Sequence, residues 1–104
     1  MNVDVNIFYQ RSLKQIKAVV LDALKEEDVM IILFGSAARG DVHRFSDIDI
    51  GILPKKNYNK KQLILLREKI ENLNIPYTVD LVDISHVSLP FKEKLLSEGE
   101  IWKK

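Results

Sequence analysis

The sequence contains no cysteine. Disulfide bonds and thiolate metal sites are therefore excluded, and the composition fits a reducing compartment. An excess of charge of one sign is also lacking, since 16 Lys and Arg stand against 15 Asp and Glu and leave a formal net charge of +1. Strong sequence-independent binding to nucleic acid, which requires many cations that neutralise phosphates, is not expected.

Long apolar runs are absent as well. The longest continuous run, Val29–Phe34, is far shorter than the roughly 20 residues that a transmembrane helix needs. The amino terminus has no basic segment followed by an apolar stretch, so we expect no secretory signal. These absences predict a cytoplasmic chain that does not associate with a membrane.

The composition that is present is typical of a globular protein. Hydrophobic residues make up 46% of the 104 residues and charged residues 30%, which is too apolar for a disordered chain. A chain of this length builds one hydrophobic core. We therefore expect a single domain over residues 1–104, with room for one active site but not for a second domain that selects a large substrate.

Helices are predicted where apolar residues recur at steps of three and four. Such a stripe runs from Ser12 to about Glu27, and a second one ends near Asn72. Ser88 is a typical helix start and Gly99 a typical carboxyl-terminal cap, which predicts a third helix between them.

Strands are predicted where short apolar or alternating runs lie between these helices. The predicted strands cover residues 29–34, 47–53 and 77–84, and the tail 100–104 is expected to add a short edge strand. Between the first two strands we expect a short helical turn at Ala37 and Ala38 and a loop over 40–45. The order of elements predicts an α+β fold, an α/β sandwich with a small sheet.

Two carboxylates stand out in the second predicted strand. Asp47 and Asp49 are two positions apart, so their side chains point to one face, with Cα atoms roughly 6.5 to 7 Å apart. Two anions held in this way repel one another unless a cation lies between them, and Mg²⁺ accepts such oxygen ligands. A polar, solvent-facing strand gives the same pattern and is the more common cause of an isolated Asp-x-Asp.

A phosphate-binding turn is predicted upstream of this pair. The apolar strand ends at Gly35 and Ser36, where a helical turn would present free backbone N–H groups and a hydroxyl to a phosphate. An ordinary strand-to-helix turn has the same sequence. Because the two features lie on adjacent strands, together they favour one site that holds both a phosphate and a metal.

The segments Phe34–Gly40 and Ser46–Ile50 resemble the signature of the DNA polymerase beta-type nucleotidyltransferase superfamily. The resemblance is closest to the minimal nucleotidyltransferases, short single-domain members that are often paired with HEPN-domain proteins in toxin–antitoxin systems. It covers most of the chain, because Tyr77–Asp83 falls where the family places its third strand and third carboxylate. The resemblance implies the nucleotidyltransferase fold, a small mixed sheet with helices packed on it.

The resemblance also implies a nucleotide-binding set. Gly35 and Ser36 would hold the triphosphate of the nucleotide, which the family suggests is ATP. Ser46 matches the serine that precedes the first aspartate and would orient its loop by a hydrogen bond to the backbone. Arg39 would reach the triphosphate oxygens, although a solvated cation in a turn explains it nearly as well.

Three carboxylates complete the implied site. Asp47 and Asp49 would bind two Mg²⁺ ions, and a third carboxylate would join them as a ligand and help to activate the acceptor hydroxyl. Asp80 has apolar neighbours on both sides, where an aspartate is costly unless it is paired or binds a cation. Asp83 lies at the strand end, where exposure explains it more easily. We predict that Asp80 is the third carboxylate, with Asp83 as the alternative.

The implied reaction transfers a nucleoside monophosphate, AMP from ATP, to a hydroxyl and releases pyrophosphate. Since the chain has no room for an acceptor domain, the acceptor would be a tyrosine of a helical HEPN-domain partner, and this chain would be the antitoxin of the pair. Both homo-oligomers and hetero-oligomers remain open.

Two alternatives belong to other functional classes. The first is a catalytically dormant module that binds a partner, for which Phe8, Tyr9 and Trp102 could supply apolar contacts. Aromatic residues near the ends of a chain more often close a core, which is the alternative explanation for these three. The second is a nucleotidyltransferase that acts on RNA ends, which the near-neutral charge disfavours. Labelling of a partner protein or of RNA from ATP and Mg²⁺ distinguishes them.

Overall fold

The computed structural model describes residues 3–35, 38, 47–56 and 58–104. Three helices and four strands lie in this part of the chain. In chain order they are α1 (Val3–Ala23), β1 (Val29–Phe34), β2 (Ile48–Pro54), α2 (Lys60–Glu71), β3 (Val79–Asp83), α3 (Leu89–Glu98) and β4 (Glu100–Lys103). This order confirms the predicted one. Ala37, in the predicted helical turn, and the predicted loop over 40–45 lie outside the described residues.

The strands form one mixed sheet with the order β3-β2-β1-β4. β1 is antiparallel to both β2 and β4, whereas β2 and β3 are parallel. α2 is the crossover that a parallel pair requires. As a result, the carboxyl end of β1 lies beside the amino ends of β2 and β3. We call this part of the sheet, where Phe34, Asp49 and Asp80 lie, the Asp49 end.

The helices cover both faces of the sheet. The core between the sheet and the pair α1 and α2 is built from buried apolar side chains, among them Tyr9, Ile16, Val20, Leu24, Ile31, Leu33, Ile48, Ile50, Ile52, Leu63, Leu66 and Ile70. A smaller cluster on the other face joins Leu95 of α3 to Ile32 and Ile84. Because side chains alternate along a strand, β2 directs its isoleucines toward α1 and α2, and directs Asp49 and Gly51 toward α3.

α1 begins earlier than its apolar pattern predicted. It starts at Val3 rather than Ser12 and ends at Ala23 rather than near Glu27. Tyr9 is fully buried, so the core-facing stripe continues toward the amino terminus past the polar residues that obscure it in the sequence. No helix in the described part of the chain is long and apolar enough to cross a membrane.

The other elements match their predicted bounds or differ from them only at their ends. β1 has the predicted bounds. β2 begins one residue later than predicted and includes Pro54, which pairs with Val29 at the end of the ladder, while β3 is limited to Val79–Asp83. The predicted third helix is confirmed, with Ser88 as its amino-terminal cap and Gly99 as its carboxyl-terminal cap.

One side chain of α2 forms a hydrogen bond with an edge strand of the sheet. β3 is an edge strand of the described sheet. Arg67 Nη2 donates a hydrogen bond to the backbone oxygen of Leu81 at 3.0 Å. This bond satisfies a backbone acceptor on an edge strand and connects α2 to the middle of β3.

Candidate active site

Two of the predicted carboxylates are neighbours in the sheet. Asp49 of β2 pairs in register with Asp80 of β3. Residues directly opposite one another on paired strands point to the same face, and neighbouring strands lie about 4.8 Å apart. The two side chains therefore leave the sheet side by side on the α3 face. Asp47 directly precedes β2 and is exposed.

The pKa of Asp49 reflects these neighbours. Partial burial raises the pKa of this carboxyl, and the charges of Asp80 and Asp47 raise it further. Both of the other predicted metal ligands thus act electrostatically on Asp49. A cation placed among the three groups would remove the repulsion and favour the ionised form of Asp49.

Gly35 approaches the same carboxylate from β1. Phe34, the last residue of β1, pairs with Asp49. Gly35 then turns the chain with a φ of 73°, a left-handed conformation that L side chains rarely adopt. A Cβ atom at Gly35 would lie 2.5 Å from Oδ2 of Asp49. The predicted phosphate turn and the predicted metal ligand are therefore in direct proximity.

Asp80 is not buried, contrary to the expectation from its apolar neighbours. Its side chain is exposed, because β3 is an edge strand and Asp80 faces away from the core under α1 and α2. The cost of burial therefore gives no reason to choose Asp80. Its position beside Asp49 gives a different reason, which the sequence pattern alone did not supply.

Asp83 lies at the other end of β3, opposite Ile52. Its Oδ1 accepts hydrogen bonds from the backbone N of Ser85 at 2.9 Å and from the hydroxyl of Ser85 at 2.6 Å. Partial burial would raise the pKa of Asp83, but these bonds, with His86 and Lys60 nearby, hold it below its usual value. Asp83 therefore stabilises the turn after β3, away from Asp49.

The donor set fits a hard divalent cation. Among the described residues no three carboxylate or histidine side chains lie close enough to form a complete metal site by themselves. Mg²⁺ is usually held by one or two carboxylates together with waters and substrate phosphates, so a complete protein cage is not required. Asp49 and Asp80 in register, with Asp47 acting on the same group, supply oxygen ligands of this kind.

Three of the predicted nucleotide-binding residues, Ser36, Arg39 and Ser46, lie outside the described residues. Their roles stay predictions. Of the nucleotide-binding set, Gly35 is the member whose position the structure describes, and it lies next to the candidate metal ligands.

Two cavities border the site, and neither was predicted from the sequence. The cavity that we call the β3 cavity has a volume of about 200 Å³ and is lined by Arg67, Ile70, Glu71, Val79, Asp80 and Leu81. The α3 cavity has a volume of about 180 Å³ and is lined by Phe34, Gly35, Phe91, Lys94, Leu95 and Glu98. The four α3 residues that line the α3 cavity recur at helical spacing, so the sequence pattern could have indicated that they share one face of the helix. The β3 cavity depends on how α2 packs against β3, and the spacing of apolar residues in the sequence does not indicate that packing.

The aromatic residues proposed as partner contacts differ in their accessibility. Tyr9 is fully buried, so it closes the core, as the alternative explanation expects, and supplies no surface contact. Its ring packs edge-on against Tyr77, with centroids 5.0 Å apart. Trp102 is half-buried, with Lys17 Nζ 5.6 Å from its ring centroid, whereas Phe8 is 61% exposed.

Residues 14–103 match the family described as "Polymerase beta, Nucleotidyltransferase". A Haemophilus influenzae protein named "Probable protein adenylyltransferase MntA" is 25% identical over 89 residues, which cover 83% of this chain and 78% of that protein. The Shewanella oneidensis protein adenylyltransferase MntA is 32% identical over 74 residues, which cover 70% of this chain and 52% of that protein. This chain therefore matches about half the length of the Shewanella protein.

Solved structures share the fold. A crystal structure of a toxin–antitoxin with AMP-PNP superimposes with a TM-score of 0.62 and 27% sequence identity, and the match covers 83% of this chain and 71% of that one. This chain therefore shares its fold with a component of that toxin–antitoxin structure.

Proposed function

This chain belongs to the polymerase beta nucleotidyltransferase family, and on that premise we propose that it transfers AMP from ATP to a hydroxyl of a partner protein. The partner would be a HEPN-domain toxin, and this chain its antitoxin. Relatives named protein adenylyltransferase and a toxin–antitoxin structure with an ATP analogue support the proposal. The lack of cysteine fits a reducing compartment, and the cytoplasm is the proposed location.

One relationship carries the proposal. Gly35, where the triphosphate would bind, lies against Asp49, and Asp49 lies in register with Asp80. Phosphoryl transfer is catalysed mainly by positioning and by charge stabilisation. A phosphate turn next to paired carboxylates provides the parts needed to align a triphosphate and an acceptor.

The proposed chemistry is an in-line displacement. The acceptor oxygen forms a bond to the α-phosphorus of ATP, and the bond from that phosphorus to the leaving pyrophosphate breaks. Asp80 would accept the proton of the hydroxyl. It is exposed and lines the β3 cavity, so a hydroxyl that belongs to another protein can reach it from the edge of the sheet.

Asp47 and Asp49 would hold Mg²⁺, with Asp80 as a further ligand, and the family pattern implies two ions. When bound, Mg²⁺ supplies positive charge that offsets the triphosphate and the charge that develops during transfer. Asp49 is suited to this role because burial, and then the charges of Asp80 and Asp47, raise its pKa in the absence of a cation. A bound cation would relieve the repulsion among the three carboxylates.

The test uses the chain co-purified with its HEPN-domain partner, α-labelled ATP and Mg²⁺. We expect label on the partner, and a mass increase of one AMP or more. Asp49→Ala and Asp47→Ala should each reduce labelling more than about 100-fold, because each removes a ligand worth several kcal/mol of charge stabilisation. Asp22→Ala is the matched control and should label normally, because it removes an exposed carboxylate of α1 that pairs at 3.5 Å with Lys25 in the turn after the helix.

Other outcomes separate the alternatives. Unchanged labelling by Asp49→Ala would contradict the proposed metal site. Label on added RNA instead of on the partner would favour the RNA-end reaction, and a stable complex without label would favour the dormant binding module.

A further inference from the structure

α3 brings its last turn to the Asp49 end of the sheet. Only Gly99 separates α3 from β4, and Glu100 of β4 pairs with Leu33 of β1. α3 therefore ends beside the carboxyl end of β1, from which Gly35 leads into the candidate site. The approach is close, because a Cβ at Gly99 would lie 2.6 Å from Cδ1 of Ile32.

The α3 cavity lies between this helix and β1. Phe34, Phe91 and Leu95 supply apolar walls, and Lys94 and Glu98 supply one charge of each sign. Phe91 is 43% exposed, so a ligand that covered its ring would bury apolar surface. Since Gly35 also lines the cavity, a ligand held there would touch the turn where the triphosphate would bind.

The size and lining of the cavity restrict what it can take. Pockets for whole drug-sized ligands measure about 300 to 1,000 Å³, so about 180 Å³ suits a single ring system rather than a whole nucleotide. Apolar walls that include two phenylalanine rings favour a flat ring, because aromatic side chains stack on nucleobases. A phosphate group alone would make no favourable contact with these apolar side chains.

We infer that the α3 cavity receives the purine base of the nucleotide and that Glu98 and Lys94 select adenine. This inference rests on the proposed function, since it names the base-binding part of the same site. Adenine presents the N7 acceptor beside the N6 amino donor, and guanine presents N7 beside the O6 acceptor. Lys94 would donate to N7, and Glu98 would accept from the amino group at N6.

The spacing of the two charged residues suits this edge. Residues four apart on a helix have Cβ atoms about 5 to 6 Å apart on one face, so their long side chains can converge on neighbouring atoms of one base. With guanine, the carboxylate of Glu98 would face O6, and two acceptors would oppose each other. The arrangement therefore disfavours GTP and favours ATP.

The test measures equilibrium binding of AMP-PNP and GMP-PNP to the intact chain with Mg²⁺, before any transfer occurs. We expect the wild-type chain to prefer AMP-PNP. Glu98→Gln should reduce that preference about tenfold, because a glutamine amide can donate to O6 as well as accept from an amino group. Phe91→Ala should weaken both analogues about tenfold through lost stacking.

Two controls show whether these effects arise at the base. Glu93→Gln changes an α3 carboxylate that does not line the cavity and should leave both affinities unchanged. Inorganic tripolyphosphate, which has no base, should bind to Phe91→Ala and Glu98→Gln as it binds to the wild type. Equal weakening of tripolyphosphate and AMP-PNP would overturn the inference, because it would indicate a change in the phosphate turn.

The inference and the proposed function can fail separately. If the partner is labelled but Glu98→Gln and Phe91→Ala bind both analogues like the wild type, the base does not occupy the α3 cavity and the proposed function stands. If those variants alter analogue binding as expected but no partner is labelled, the base site stands without the proposed transfer. Weakened binding of the partner by Phe91→Ala, with nucleotide binding unchanged, would assign the cavity to the acceptor instead.

Discussion

Gly35 and Asp49 lie so close together that there is no room for even a methyl group between them. A Cβ built on Gly35 meets the Oδ2 of Asp49 at 2.5 Å, and the φ of 73° at Gly35 is unfavourable for any other residue. Two independent constraints therefore favour glycine at this position, one from the backbone and one from the neighbouring carboxylate.

Gly35→Ala should destabilise the protein by at least about 1 to 2 kcal/mol, the cost of a left-handed conformation for an L residue. The added methyl group should also displace the Asp49 carboxylate and reduce AMP transfer. Urea denaturation at neutral pH and the labelling assay measure the two effects.

The same substitution in an Asp49→Ala background separates the two causes. Without the carboxylate, the steric part of the cost should disappear and the backbone part should remain. An identical loss of stability in both backgrounds would mean that the contact with Asp49 has no energetic consequence.

Asp49→Asn should stabilise the metal-free protein at neutral pH. The pKa of Asp49 is raised in the folded state, so its ionised form opposes folding, and this penalty grows as the pH rises from the unfolded-state pKa through the folded-state pKa. The gain should vanish below a pH of about 3.9, the usual aspartate pKa, where the carboxyl is protonated in both states. Thermal unfolding across this range in a chelating buffer gives the measurement.

Asp22→Asn is the control for the pH series, because Asp22 is exposed and paired with Lys25 at 3.5 Å. It should not increase stability at neutral pH. A destabilising effect of Asp49→Asn at neutral pH would contradict the raised pKa.

Asp80→Asn and Asp83→Asn should have opposite effects. Asp80→Asn should abolish labelling and leave the folded state intact, because the side chain is exposed. Asp83→Asn should retain labelling but cost about 1 kcal/mol through weaker hydrogen bonds from Ser85. The pKa of Asp83 is lowered, so this loss should be present at neutral pH and fade as the pH falls through the folded-state pKa. If Asp83→Asn abolished labelling and Asp80→Asn did not, Asp83 would be the third carboxylate of the site instead of Asp80.

Tyr9→Phe should leave stability unchanged or raise it by about 1 kcal/mol. The Tyr9 hydroxyl is buried and has no hydrogen-bond partner among the described residues, and burial, with Tyr77 and Asp49 nearby, raises its pKa. Removing a polar group that is buried without a partner removes a desolvation cost. Tyr77→Phe is the matched control on the ring that packs edge-on against it. A loss of more than about 1 kcal/mol on Tyr9→Phe would indicate that the hydroxyl does make a stabilising hydrogen bond.

Sequence patterns predicted the element order because each element has a strong local signal. The run Val29–Phe34, the isoleucines of β2 and the caps Ser88 and Gly99 all determine structure locally. The start of α1 was missed because burial of Tyr9 depends on packing against the sheet, which no local pattern shows.

The candidate carboxylates could be named from the sequence, but the contacts that bring them together could not. The spacing of Asp47 and Asp49 placed both on one strand face, and the resemblance pointed to a third carboxylate. The choice of Asp80 rested on burial, which the structure contradicts. Asp80 lies beside Asp49 because β2 and β3, which α2 connects along the chain, pair in parallel. Pairing register between strands distant in sequence depends on tertiary packing, so local periodicity could not supply it.

The hydrogen bond from Arg67 to the carbonyl of Leu81 affects whether β3 can pair with a strand of another molecule. Exposed edge strands are templates on which a second chain can extend a sheet. A strand approaching β3 would have to displace a guanidinium that already occupies an acceptor in the middle of Val79–Asp83. Edge-to-edge association, and with it growth into larger aggregates, is therefore opposed at the same edge where Asp80 stays open to solvent.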